Sequence, residues 1–423
     1  FLALVTAIGL AARQPNIIYI LADDLGYGDL SVYGQTKFET PHIDALAKRG
    51  MLFTQHYSGN TVCAPARSSL MTGLHTGHAP VRGNAEVQPE GQEPMPADTY
   101  TIAHHLRKAG YTTGLFGKWG LGFPGSVSDP LKMGFDRFYG YNCQRMAHSY
   151  YPAFLWSDDE RQLLWGNVGS HDEDFAPDLI HEQALAFIEA NQDQPFYLYY
   201  AAVQPHADMI ATEEYMEKFR GKYLPEHEHP GGHYIAQPES KATFAAMVAT
   251  LDDYVGDVVA ELEKHGLAES TLIIFTSDNG PHQEGGHLPD FWDSNGPFRG
   301  IKRDLYDGGI RVPMIASWPG TIEAGSFSDH ISAFWDFFPT AAELAGAPAK
   351  PDVDGISMVP TFNWKGVRYN VSADPDSPLE LYNLATDPGE THNVAAHHPE
   401  LVAQLNAYIK EAHTPPVNPR FNF

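Results

Sequence analysis

The chain has 423 residues, of which 43% are apolar and 19% are charged, and its formal net charge is −26 at neutral pH. So many apolar residues can form one large hydrophobic core with a smaller unit appended. The acidic composition lacks the clustered Lys and Arg that contact phosphates in nucleic-acid-binding proteins, so we expect no nucleic-acid partner. An anionic substrate would need a local cationic site, and a bound divalent cation is the simplest one.

The chain opens with an apolar run, Phe1–Ala12, that ends in small residues and is too short to span a bilayer. We interpret residues 1–13 as a residual signal segment, with a buried first strand as the alternative. This run favours export, and no later stretch reaches transmembrane length, so we expect a secreted or periplasmic protein without a membrane span. Two cysteines, Cys63 and Cys143, form at most one disulfide, so the fold is not a disulfide scaffold.

Strands and helices are predicted to alternate along most of the chain. Runs of β-branched and aromatic residues predict strands at 16–21, 113–116, 196–201 and 271–275. Apolar residues at helical spacing, with Pro at starts and Gly after ends, predict helices at 41–49, 99–109, 179–191, 241–265 and 400–413. This alternation is typical of an α/β fold with a mostly parallel sheet covered on both faces, whose ligand sites lie beyond the carboxyl ends of the strands.

The chain changes character at about residue 348, where Pro and Asp become more frequent. We therefore expect a catalytic α/β domain over residues 14–347 and a smaller C-terminal subdomain over residues 348–423.

Oxygen-bearing side chains follow two of the predicted strands. Asp23 and Asp24 come after the first strand, and Asp278 with Asn279 comes after the strand at 271–275. Such a set of hard ligands suits Ca²⁺ or Mg²⁺ far better than Zn²⁺. Either pair alone is equally well explained as a turn after a strand, but the two pairs together favour a metal site.

Cys63 begins the most informative stretch of the sequence, CAPARSSLMTG over residues 63–73. The pattern C-x-P-x-R followed by L-M-T-G resembles the signature of the type I sulfatases, in which a maturation enzyme oxidises that cysteine to formylglycine. Further segments match this family in its order, namely NIIYILADDLGYGDL, GKW, QPH, FTSDNG, FRGIKRDLYDGGIRVP and LYNLATDPGE. The resemblance implies an alkaline-phosphatase-like α/β fold whose C-terminal subdomain carries a short antiparallel sheet and a helix.

The resemblance also implies roles for individual residues. An oxygen of modified Cys63 is expected to join four calcium ligands, for which Mg²⁺ is the less favoured ion: Asp23, Asp24, Asp278 and Asn279. Arg67 corresponds to the residue that holds the formylglycine in place. The sulfate is expected to be bound by Lys118, His206 and Lys302. His206 is the predicted general acid, because its ordinary pKa near neutrality lets it hold a proton and release it.

Loop residues near these motifs are predicted to contact the substrate, since loops above strand ends often do so. These pocket candidates are Arg82, His282, Asn84, His148 and His287. The three histidines of PEHEHPGGH, in contrast, are predicted to lie in a solvated loop because of the Pro and Gly around them: His227, His229 and His233.

Two features depart from the family pattern. Many relatives continue the Gly-Lys-Trp motif with a histidine that assists the formylglycine hydroxyl, whereas this chain has Gly120 there. His75 and His78 are candidates to replace it, but surface or core roles explain them equally well, and we assign the role to neither. The passage between Pro360 and Leu379 is also shorter than the strand-rich passage that relatives carry there, which often shapes the outer pocket.

The expected activity is hydrolysis of a sulfate ester, most reasonably on a sulfated glycan or another small sulfated molecule, after modification by a formylglycine-generating enzyme. Calcium and two lysines would neutralise the sulfate oxygens, and a hydrated formylglycine would supply the nucleophile. Two alternatives remain open. One is a phosphatase or phosphonate monoester hydrolase of the same superfamily, and the other is a non-catalytic protein that binds sulfated glycans.

Overall fold

A computed structural model describes residues 14–169, 171–359, 364–368, 374, 376–383 and 392–412. The predicted signal segment at residues 1–13 lies outside these ranges. Among the described residues, the main sheet follows the order β10-β2-β9-β8-β1-β7-β3-β4-β5-β6, and β11 also pairs with β2. A separate two-stranded sheet joins β12 and β13. The strands are β1 (Asn16–Ala22), β2 (Met51–Tyr57), β3 (Thr112–Lys118), β4 (Arg137–Tyr141), β5 (Phe154–Ser157), β6 (Glu160–Leu163), β7 (Phe196–Ala201), β8 (Thr271–Ser277), β9 (Arg311–Ser317), β10 (Ser326–Ser328), β11 (Ser332–Ala333), β12 (Trp364–Arg368) and β13 (Leu379–Asn383).

The helices cover both faces of the main sheet. They are α1 (Pro41–Lys48), α2 (Cys63–Thr72), α3 (Ile102–Lys108), α4 (Ala176–Ala190), α5 (Glu213–Phe219), α6 (Ser240–Lys264), α7 (Pro289–Trp292), α8 (Asp307–Ile310), α9 (Phe337–Leu344) and α10 (Pro399–Ala412). No helix in the described ranges combines the length and apolar character needed to cross a bilayer.

Strand β1 lies at the centre of the core. Ile18 and Ile20 pack in a cluster with residues of α1, α4 and α6, whereas Ile17 and Tyr19 pack in a second cluster with residues of α2, α3 and α9. Successive side chains of a strand point to opposite faces, so a strand buried along its whole length has apolar residues at every position. This is why NIIYILA reads as a continuous apolar run.

The predicted fold class is confirmed, with a mixed sheet that is mostly parallel. Strand β1 runs parallel to β7 and β8, and β3 runs parallel to β7 and β4. Antiparallel pairing occurs where β9 lies between β8 and β2, and in the meander of β4, β5 and β6. The expected short antiparallel sheet near the C-terminus is present as β12 and β13, followed by α10.

Two predicted helix starts were wrong by three residues. Helix α3 begins at Ile102 because Thr101 is its N-cap, with a side-chain oxygen that accepts from the backbone N–H of His104. Helix α4 begins at Ala176, where Pro177 occupies the first turn without losing a helical hydrogen bond. The ends of the other predicted elements agree with the structure within one or two residues; the strand predicted at 113–116, for example, is β3 at Thr112–Lys118.

A buried histidine on β2 makes stability depend on pH. His56 is 1% exposed, its Nδ1 lies 2.9 Å from Ser332 Oγ, and burial, followed by the charge of His330, lowers its pKa to about 3. The unfolded chain therefore binds a proton below pH ~6.5 that the folded protein excludes, so stability is lost as the pH falls. As the pH falls from 7 to 5, we expect protonation of His56 in the unfolded chain to lower the free energy of unfolding by ~2 kcal/mol.

Urea denaturation of His56→Gln at both pH values tests this expectation. The variant should lose less stability on acidification than the wild type. His171→Gln is the matched control, because that imidazole is 66% exposed. If His56→Gln loses as much stability between pH 7 and 5 as the wild type does, the assignment is contradicted.

Candidate active site

Four predicted metal ligands meet at the carboxyl ends of β1 and β8. These strands are parallel neighbours with Ala22 opposite Ser277, so the residues that follow them emerge side by side. Asp24 N–H donates to Asp278 Oδ1 at 3.1 Å, and Asn279 Nδ2 donates to Asp24 Oδ1 at 2.7 Å. All are buried, together with Asp23. The site therefore concentrates carboxylates where water cannot stabilise them.

Arg67 forms a buried ion pair with Asp278 of this cluster. It projects from α2, is fully buried, and donates from Nε at 3.2 Å and from Nη2 at 2.8 Å to one oxygen of Asp278. Its Nη1 donates to the carbonyl oxygen of Lys118 at 2.6 Å. A guanidinium bound this way joins the nucleophile helix to the ends of β3 and β8.

Two lysines lie against the remaining carboxylates. Lys118 Nζ is 2.5 Å from Asp23 Oδ2, and Lys302 Nζ is 2.6 Å from Asp24 Oδ2. Burial opposes the charge of Lys302, but Asp24 outweighs it and raises the lysine pKa well above its ordinary value. Burial alone would raise the pKa of Asp24, and Lys302 and His206 instead lower it well below the ordinary value. Both lysines are therefore ammonium groups inside the protein.

Cys63 is the first residue of α2 and is 1% exposed. Its Sγ lies 3.5 Å from Asp23 Oδ1 and 3.5 Å from Lys118 Nζ. Burial, followed by the charge of Asp278, raises the pKa of this thiol well above its ordinary value. A protonated thiol is a poor nucleophile, so this environment does not activate the sulfur itself.

His206 lies beside Lys302 just after β7. Its Nδ1 donates to the carbonyl oxygen of Ala207, and its Nε2 is 3.2 Å from Lys302 Nζ and 3.3 Å from Asp24 Oδ2. Burial, followed by the charge of Lys302, lowers the histidine pKa well below its ordinary value. The ring is therefore neutral, with the Nε2 lone pair directed toward the ammonium group.

Three of these residues, Cys63, His206 and Lys302, line a cavity of about 310 Å³. Its walls are Cys63, Asn84, Glu86, Gln92, Gln144, Arg145, His148, His206, His233, Tyr234, Lys302 and Arg303. Cavities of about 490 and 550 Å³ lie elsewhere on the described surface, but neither is lined by any predicted catalytic residue.

Some of the predicted pocket residues line the cavity and others do not. Asn84 and His148 line the cavity, and Asn84 Oδ1 also accepts from Ala64 N–H at 3.0 Å, in the first turn of α2. Arg82 is exposed and is not among the wall residues, because its Nε donates to the carbonyl oxygen of Ala79. His282 is buried behind His206, with 5.9 Å between ring centroids, and donates to the carbonyl oxygen of Pro205.

The other histidines singled out in the sequence lie in three different places. His75 and His78 lie on the surface, where His78 Nδ1 is 2.9 Å from Asp354 Oδ1. Neither lines the cavity, so neither takes over the role of the histidine that relatives carry at position 120. His287 is buried behind His282. The loop of PEHEHPGGH is irregular and largely exposed as predicted, but its His233 also lines the cavity mouth.

Several wall residues were missed by the sequence analysis. Arg303 follows Lys302 directly, so its position in a matched motif was an available signal. Gln92 and Gln144 carry no spacing pattern that would have singled them out.

The residues present fit a hard divalent cation. Asn279 Oδ1 is buried and has no hydrogen-bond partner among the described residues. Burial and then the charge of Asp23 raise the pKa of Asp278 to about 7, so the carboxylates repel one another strongly. Ligand atoms of Asp23, Asp24, Cys63 and His206 lie within 4.8 Å of one another. Carboxylate and amide oxygens in such a cluster are the donors that hard cations prefer.

Known proteins resemble this chain in both sequence and fold. Residues 15–347 match the family model described as Sulfatase. N-acetylgalactosamine-6-sulfatase of Rattus norvegicus is 34% identical over 85% of this chain and 69% of that enzyme. Arylsulfatase A of Homo sapiens is 31% identical over 96% of this chain and 89% of that enzyme. A crystal structure of Ps i-CgsB in complex with k-i-k-neocarrahexaose superposes with a TM-score of 0.70 at 27% identity, covering 94% and 92% of the two chains.

Proposed function

Since the chain belongs to the sulfatase family, we propose that this enzyme removes sulfate from carbohydrates through a formylglycine made from Cys63 and a calcium ion held at the carboxylates. The observation that carries the proposal is the position of Cys63. It lines the cavity, with its sulfur between Asp23 and the ammonium group of Lys118.

The state of the thiol supports its conversion. Because burial keeps Cys63 protonated, an unmodified sulfur is poorly suited to attack a sulfate ester. Formylglycine supplies a hydroxyl nucleophile and a route for releasing sulfate without attack by water. Arg67, fixed by Asp278 and Lys118, orients the first turn of α2 and therefore residue 63.

Charge balance supports both cation binding and anion capture. Three buried carboxylates of the site face three buried cations, and these six residues are Asp23, Asp24, Asp278, Arg67, Lys118 and Lys302. A calcium ion held by Asp23, Asp24, Asp278 and Asn279 would supply further positive charge for the sulfate oxygens. The site would then be locally cationic, as an anionic substrate requires in a protein of net charge −26.

Lys118 and Lys302 are assigned to the sulfate oxygens, and His206 to the departing alcohol. The Nε2 of His206 accepts from Lys302 Nζ at 3.2 Å and its Nδ1 donates to the carbonyl oxygen of Ala207, so Nε2 is the atom that would protonate the alcohol oxygen. A sulfate bound to Lys302 would offset the positive charge that lowers the pKa of this ring, so that Nε2 can take up a proton and donate it to the departing alcohol.

A carbohydrate is the proposed substrate class. The rat relative is named for N-acetylgalactosamine-6-sulfate, and the Ps i-CgsB structure contains a neocarrahexaose. The cavity walls are rich in side chains that form hydrogen bonds, including Asn84, Gln92 and Gln144. Such walls suit the hydroxyl groups of a sugar.

Two further parts of the proposal concern the location of the protein and the modification of Cys63. We propose a secreted or periplasmic location, supported by the apolar run at residues 1–12. We also propose a formylglycine-generating enzyme as a partner, because the sequence around Cys63 keeps the C-x-P-x-R pattern.

Matched substrates test the reaction class. With fully converted protein, we expect 4-nitrophenyl sulfate to be hydrolysed at least ~100-fold faster than 4-nitrophenyl phosphate, because two lysines and one divalent cation suit a monoanion. A panel of galactose and N-acetylgalactosamine monosulfates should release sulfate from at least one sugar. A preference for the phosphate would indicate a phosphatase. Binding of sulfated sugars without turnover would indicate a glycan-binding protein.

A further inference from the structure

Two glutamines in the cavity wall leave polar atoms unpaired. Gln92 is 4% exposed and Gln144 is 7% exposed, and Gln92 Nε2 donates to Gln144 Oε1 at 3.3 Å. Among the described residues, Gln144 Nε2 and Gln92 Oε1 have no hydrogen-bond partner. Leaving a buried polar group unpaired is unfavourable, so a ligand that satisfies both atoms would be bound favourably.

Gly120 makes room for this pair. A Cβ atom at residue 120 would lie 3.0 Å from Gln144 Cγ and 3.1 Å from Gln144 Nε2. The carboxamide of Gln144 therefore occupies the place where a larger residue at 120 would put its side chain. Gly120 follows Lys118 by two positions, at the end of β3. The amide pair thus packs against the chain just beyond β3, two residues after the proposed sulfate-binding Lys118.

The pair also has a defined chemistry. Its unpaired groups are the Nε2 amide of Gln144, a donor, and the carbonyl oxygen of Gln92, an acceptor; both atoms are buried, so a ligand reaches them when the two side chains turn toward the cavity that they line. A hydroxyl group satisfies both atoms, because it donates one hydrogen bond and accepts another. A sulfate oxygen would satisfy only the donor and would leave the oxygen of Gln92 facing negative charge. The geometry therefore favours a hydroxyl over the ester group itself.

We propose that Gln92 and Gln144 bind a free hydroxyl of the substrate sugar next to the sulfate ester, and so select carbohydrate sulfates over simpler sulfate esters. This inference rests on the proposed sulfatase function. The two glutamines act together, since Gln92 fixes the carboxamide of Gln144, and the backbone N–H of Gln92 is itself held by the carbonyl oxygen of Gly122 at 2.8 Å.

Substrate selectivity of glutamine variants tests the proposal. For wild type, Gln92→Ala, Gln144→Ala and the double variant, kcat/KM is measured on the best monosaccharide sulfate of the panel and on 4-methylumbelliferyl sulfate. We expect the ratio of the two values to fall ~10- to 100-fold in each variant, because a site built for a hydroxyl discriminates strongly when the hydrogen bonds are lost. The double variant should lose no more than the worse single variant, since the residues act as a unit.

A deoxy analogue and a control variant complete the test. The wild type should lose ~10-fold or more on the same sugar sulfate with the neighbouring hydroxyl replaced by hydrogen, whereas Gln144→Ala should hydrolyse both sugars similarly. Gln162→Ala, on the exposed edge strand β6, should keep the wild-type ratio. Equal losses on the sugar and aryl substrates would overturn the proposal and assign the pair to the nucleophile or to folding.

The wild-type measurements separate this inference from the function it rests on. If the wild type hydrolyses the aryl sulfate and none of the sugars, the hydroxyl-binding pair is refuted and the sulfatase activity stands. If it releases sulfate from neither substrate, both are refuted.

Discussion

Replacement of Cys63 by alanine is expected to lower kcat/KM for sulfate esters by at least ~10⁴-fold, the scale seen when a nucleophile is removed. The residue begins α2, lines the cavity, and lies within 3.5 Å of Lys118 Nζ. Alanine cannot be converted to formylglycine, so it removes the nucleophile without changing the lysines or the carboxylates. The measurement is sulfate release by the variant and the wild type after expression with the maturation enzyme.

The second cysteine supplies the control. Cys143 is also buried, and burial raises its pKa to about 11, but it does not line the cavity. Cys143→Ala should therefore keep activity within ~3-fold of the wild type, as expected for a site outside the reacting groups. Peptide mass should show residue 63 lighter than cysteine by ~18 Da in the active wild type. Substantial activity in Cys63→Ala would show that the nucleophile lies elsewhere.

Removal of divalent cations is expected to reduce activity at least ~10³-fold and to lower the thermal midpoint. Asp278 is pushed toward protonation by burial and by Asp23, and Asn279 Oδ1 has no partner in the described structure, so a cation would stabilise both groups. A ligand at ~100 times its Kd stabilises the folded state by ~2.7 kcal/mol. Activity and thermal denaturation are measured after dialysis against a chelator and again after addition of Ca²⁺, Mg²⁺ or Zn²⁺.

A distant cluster provides a matched control for the metal. Asp354 lies with His75 and His78 in a second group whose ligand atoms approach within 4.8 Å. Asp354→Asn should leave the response to chelator and Ca²⁺ unchanged, whereas Asp278→Asn should weaken it. Full activity in protein that elemental analysis shows to be free of metal would exclude a catalytic cation.

The central elements were predictable because their sequence patterns are local. Strand β7 has the predicted ends, Phe196 and Ala201, within an apolar run that follows Pro195 and continues to Val203. Strand β9 was not predicted, in part because Pro313 lies within it and proline cannot donate to a sheet. Its antiparallel direction between β8 and β2 depends on the path of the chain in space, which no local pattern encodes.

The site was predictable where residues belong to motifs that follow strands. Asp24 and Asp278 come together because the parallel strands β1 and β8 deliver their ends to one edge of the sheet, and Arg67 and Lys302 form ion pairs with them there. Arg82 and His282 were expected in the pocket from their nearness in sequence, but one points into solvent and the other stacks beneath His206. Gln144 could not be predicted as a cavity residue, because the space for its side chain exists only where Gly120 has no side chain of its own.

The parallel pairing of β1 with β8 also fixes the order in which the site can form during synthesis. Asp24 and Asp278 are 254 positions apart in the chain, although they share a hydrogen bond in the folded protein. A ribosome therefore delivers Cys63 and two of the three carboxylates long before the third, Asp278, exists. Contacts so distant in sequence form late in folding. Until then Cys63 lacks the neighbours that bury it, so the nascent chain is the form in which an enzyme can reach the thiol.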